Sequence, residues 1–100
     1  MADLQKTTFA QDFPIAVRFG EKAVRDTYDR AFKEWHTNVR YITALTVILN
    51  HLIWYFYDKS GGNQDDPMAK LFNELWRKCD DWCCENLKGD DLAYFYRVTD

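Results

Sequence analysis

The sequence predicts an all-α fold: a small helical bundle with one long central helix, an antiparallel partner helix and a short C-terminal helix. Three observations lead there. No glycine or proline interrupts the chain between Gly20 and Gly61. Apolar residues on either side of residues 60–65 recur at spacings of three and four, which is the pattern of a helix face packed on a core. The one cluster of turn-forming residues, Ser60 to Asp65, falls between those two periodic stretches.

The leader, residues 1–19, gathers Phe9, Phe13, Ile15, Val17 and Phe19 around Pro14. It reads either as a short helix or as an extended arm lying on the bundle. From Val24 onward Tyr28, Ala31, Phe32, Trp35, Val39, Ile42, Leu45, Leu49, Leu52, Ile53 and Phe56 keep one helical register, so the spacing predicts one long helix over about 21–58. His36, Thr37 and Asn38 are mediocre helix formers inside it, and Asn38 is suited to cap a new helix. A break near 37–38 is the alternative. Unbroken, the helix would be about 57 Å long at the usual rise per residue.

Within that helix Ile42 to Tyr57, ITALTVILNHLIWYFY, has only Thr43, Thr46, Asn50 and His51 as clearly polar positions. Such a helix is apolar nearly all round and has to be covered on several sides. The run falls short of the roughly 20 apolar residues of a membrane span and carries Asn50 and His51 at its middle. A central bundle helix without a membrane is the expectation.

The loop SGGNQD, 60–65, is short enough to make its flanking helices antiparallel neighbours. The second helix, about 67–88, opens with Asp66 as N-cap and Pro67 at its first position, and closes with Lys88 and Gly89. Met68, Leu71, Phe72, Leu75, Trp76, Cys79, Trp82, Cys83 and Leu87 form its packing stripe. In the tail, Asp90 can cap a short docked helix over Leu92, Ala93, Tyr94, Phe95 and Tyr96. Phe95 is expected to turn inward, with Tyr94 and Arg97 on one outer face.

A chain with 47% hydrophobic and 29% charged residues has the composition of a folded domain, and 100 residues suffice for one, 1–100. The net charge of -3 comes from an acidic excess after Tyr57 and leaves no basic patch, so nucleic acid is excluded as an electrostatic partner. Cys79, Cys83 and Cys84 crowd together in an odd-numbered cluster unlike a secreted disulfide framework. Met1 to Gln11 carries no apolar signal core. Both observations point to a cytoplasmic protein.

Cys79 and Cys83 stand one helical turn apart and could supply half of a tetrahedral zinc site, with His51 as a third candidate. Buried cysteines more commonly behave as small hydrophobes, so core packing and no cofactor are expected. His51 reads as a buried histidine satisfied by a hydrogen bond, and His36 as a surface residue. Asp80, Asp81, Glu85, Asp90 and Asp91 read as a solvated face, because adjacent side chains do not converge. Asp58 to Ala69 lacks the glycine and terminal acid of a calcium loop. No phosphate loop, nucleophile elbow or HExxH pattern occurs, and an enzyme is not expected.

The second helix, about 33 Å long, covers only the half of the long helix that holds Ile42 to Phe56. Tyr28, Phe32 and Trp35 would then need either the leader or a second chain. A homodimer through that half follows, since two-fold interfaces are the commonest. Tyr94 and Arg97 are further interface candidates, tyrosine and arginine being preferred anchors. The resulting expectation is a non-enzymatic protein–protein interaction or accessory module that self-associates through the long helix. A metal- or small-ligand-binding bundle using Cys79 and Cys83 is the alternative, and an inhibitor of a host protein is a further one.

The stretches YITALTVILNHLIWYFY and LFNELWRKCDDWCCENLKGDDLAYFYRVTD, within residues 28–100, resemble a group of short helical proteins encoded on mobile elements of gut bacteria. The resemblance implies a small accessory or interaction protein. It assigns no activity to particular residues.

Overall fold

Asn38 sets the architecture. Its side-chain Oδ1 accepts from the backbone N–H of Arg40 at 3.0 Å and of Tyr41 at 3.4 Å, while its own backbone is extended. That is an N-cap, and it starts a new helix where the periodicity ran on unbroken. The computed structural model describes residues 8–99, with side chains from residue 11 onward. Its helices are α1 (Thr8–Val17), α2 (Glu21–Trp35), α3 (Val39–Lys59), α4 (Pro67–Asn86) and α5 (Gly89–Thr99).

The single helix over 21–58 is therefore corrected to α2 and α3, joined by a turn at His36–Asn38, and the alternative of a break near 37–38 holds. The longest dimension of the molecule is 39 Å, too short for an unbroken helix of about 57 Å. Folding α2 back buries its stripe within the same chain. Tyr28 and Trp35 are 2% and 3% exposed and Phe32 is half-buried. Phe32 meets Trp82 of α4 edge-on at 5.2 Å, Lys78 lies 5.6 Å above the Tyr28 ring, and Arg25 bridges to Glu74. The half of the long helix expected to await a second chain is thus occupied by α4.

α3 and α4 make the main antiparallel pair. Ser60, Gly61 and Gly62 end α3, with the Gly62 N–H donating to the Tyr57 carbonyl at 2.9 Å. Gly61 and Gly62 both have positive φ, 77° and 85°, which side-chain-bearing residues rarely adopt. α4 begins as the sequence predicts, with the Asp66 carboxylate accepting from the Ala69 N–H at 3.0 Å and Pro67 at its first position. It ends at Asn86, two residues early, because Leu87 turns extended and packs against the core.

The leader from Thr8 to Val17 is a helix and not an arm. Phe13 is fully buried and stands edge-on to Phe72, whose ring stacks on Phe56 at 5.6 Å. Ile15 and Phe19 point outward. The side chain of Phe9 lies outside the described residues. α5 docks by Phe95, which is buried, and Asp90 and Asp91 sit in its first turn, where acids suit the helix dipole.

Candidate functional site

α3 carries two opposed apolar registers. Ile42, Leu45, Leu49 and Leu52 face the core, and Phe56 continues the row half-buried. On the other side Val47, Trp54 and Tyr55 are 43%, 57% and 49% exposed, with His51 exposed and Ile48 half-buried among them. Pro14 of α1 joins Val47, Ile48, His51 and Tyr55 around an open, mostly apolar groove of about 550 Å³. Contiguous outward apolar faces are uncommon on monomeric globular proteins, whereas single exposed apolar side chains are ordinary. α3 is also long and apolar enough to cross a membrane by length and composition. Its inner register is committed to the bundle core.

The structure places His51 in this exposed groove, not in the buried, hydrogen-bonded setting expected from the sequence. It therefore does not join the cysteines. Cys79 and Cys83 are both buried, on the inner face of α4. The Thr46 hydroxyl donates to the Ile42 carbonyl at 3.0 Å and lies 3.2 Å from the Cys79 sulfur. With its one proton directed at Ile42, Thr46 accepts from the Cys79 thiol. The hydrogen bond with Cys79, together with burial, pushes the Cys83 thiol well above its ordinary pKa. Burial, reinforced by Cys79, does the same to the Tyr28 phenol, whose hydroxyl has no hydrogen bond of ordinary geometry. Zinc needs thiolates and further ligands. Among the described residues no three His, Cys, Asp or Glu side chains are grouped to hold a metal ion.

A second cleft, about 460 Å³, opens between α3, α4 and α5 and is lined by Asn50, Asp80, Cys84 and Tyr96 among others. Partial burial, then the charge of Asp81, raises the Asp80 pKa. The Tyr96 hydroxyl reaches toward the exposed Cys84 sulfur at 3.8 Å. Asp80 and Asp81 remain apart from any metal-like grouping.

Of the interface candidates read from the sequence, Tyr28 and Trp35 are core residues and Phe32 is half-buried in the same packing. The fold-back of α2 removes them from the surface. Tyr94 lies under two guanidinium groups, Arg40 at 5.8 Å and Arg97 at 5.5 Å, so that corner is cationic and aromatic. His36 is half-buried, stacked on Phe32 at 5.1 Å, and its Nδ1 bonds the Phe32 carbonyl at 2.9 Å.

The outer face of α3 is the site that sequence reasoning missed. Its signal was present: a helix apolar nearly all round holds a second register besides the one that packs. Fold and surface together define a small all-α bundle with one central helix open on an apolar face. No protein-family model, curated protein or solved structure matches the chain.

Proposed function

We propose that this protein is a non-enzymatic interaction module whose binding surface is the outer face of α3. The observation that carries this reading is the outward exposure of Val47, Trp54 and Tyr55, with Val47 and Tyr55 lining a groove together with His51 and Pro14. Tryptophan and tyrosine are among the residues that anchor interfaces, and Trp54 and Tyr55 are 57% and 49% exposed on the central helix. A helix-in-groove contact suits a surface of this shape.

The test is a photoreactive residue introduced in place of Tyr55, with a second placed at the exposed Arg77 on α4 as control. Irradiation in cells is expected to give covalent protein adducts from position 55 and not from position 77. Equal labelling from both positions, or none from position 55, would overturn the reading.

A further inference from the structure

The outer face of α3 is self-complementary. Arg40, Ala44, Val47, His51, Trp54 and Asp58 follow one another at alternating spacings of four and three, the heptad spacing of a helix seam. Five of these residues are exposed, and Ala44 is half-buried. Inverting the helix about the level of Leu49 maps this row onto itself. Arg40 then meets Asp58 of the other copy, Ala44 meets Trp54, and Val47 meets His51. A cation falls opposite an anion, and the smallest side chain falls opposite the largest.

That reciprocity, in which residue i contacts j and j contacts i, is what a two-fold interface demands. A foreign partner places no such requirement on the spacing of charges at the two ends of one helix. Large-against-small pairing also lets two helices approach closely along the middle of the seam. Parallel pairing would instead set Trp54 against Trp54 and leave the like charges of Arg40 and Asp58 each facing its own kind.

Resting on the reading of α3 as the binding face, we infer that its occupant is a second copy of this chain, docked antiparallel through α3 with Arg40 against Asp58, Ala44 against Trp54 and Val47 against His51. The self-association expected from the sequence moves with this from the α2 stripe to the opposite side of the molecule. Arg40, which lies over the Tyr94 ring in the single chain, reaches the facing carboxylate by a swing of its flexible stem.

Analytical ultracentrifugation of the intact protein is expected to show a monomer–dimer equilibrium. Arg40→Glu and Asp58→Arg should each weaken it roughly tenfold, like charges then facing each other at both ends of the seam, and the double variant should restore it. Orientation is read by mixing chains that carry Val47→Cys with chains that carry His51→Cys, each also Cys84→Ser to remove the exposed native thiol. Oxidation is expected to link unlike chains in preference to like ones. Preferred linkage of Val47→Cys chains to each other, or failure of the double charge variant to recover, would overturn the antiparallel register. A monomer at high micromolar concentration, or one that sediments with phosphatidylcholine–phosphatidylglycerol vesicles in place of dimerising, would overturn the second copy as occupant. If such a monomer still forms protein adducts from the photoreactive residue at position 55, the interaction reading stands and only the identity of the partner falls.

Discussion

The cysteines show how far a single residue's step around a helix changes the chemistry of a side chain. Cys79 and Cys83 share the inner face of α4, while Cys84, next in sequence to Cys83, is exposed in the cleft beside Tyr96. Burial keeps Cys79 and Cys83 out of reach of reagents in solvent. A thiol reagent is therefore expected to modify the native chain at Cys84 alone and to reach Cys79 and Cys83 only after denaturant is added, as peptide mass mapping would show. Labelling of Cys79 or Cys83 under native conditions would mean that the α3–α4 seam opens readily. The three residues are equivalent in composition, and only the phase of the helix separates them.

At the scale of elements, the turn at His36–Asn38 is where a local preference overrides an uninterrupted apolar periodicity. The Asn38 cap satisfies two backbone donors at the start of α3, and the fold-back it permits buries Tyr28 and Trp35. Asn38→Ala is expected to lower the unfolding free energy by about 1 kcal/mol, measured as a shift of the urea midpoint at constant slope. A change of slope would report a different compactness instead. The signals for this break lay in His36, Thr37 and Asn38 themselves. The periodicity outvoted them because the apolar spacing of two helices that meet in one core can stay in phase across a tight turn. The end of α4 shows the converse: Lys88 and Gly89 carry the local stop signal, but packing of Leu87 on the core ends the helix earlier.

At the scale of the whole molecule, α1 closes the core. Phe13 is fully buried, its ring edge-on to Phe72, so Phe13→Ala should destabilise the chain by roughly 3–4 kcal/mol, read from denaturant unfolding. A loss near zero would show that α1 is not part of the cooperative unit. The all-α class, the α4 start at Asp66–Pro67, the loop that reverses the chain and the inward face of α5 were all legible in the sequence, because each rests on local preferences or on 3.6-residue periodicity within one element. The position of α2, the exposure of His51 and the outward apolar face of α3 were not. A helix apolar on both sides does not say which side will be covered, since that depends on where the other helices come to lie. Sequence alone determined that the helix holding Ile42 to Tyr57 is apolar nearly all round and lies at the centre of the fold. Tertiary structure decided which of its two registers became the core, because α2 and α4 can bury one face and leave the other turned outward.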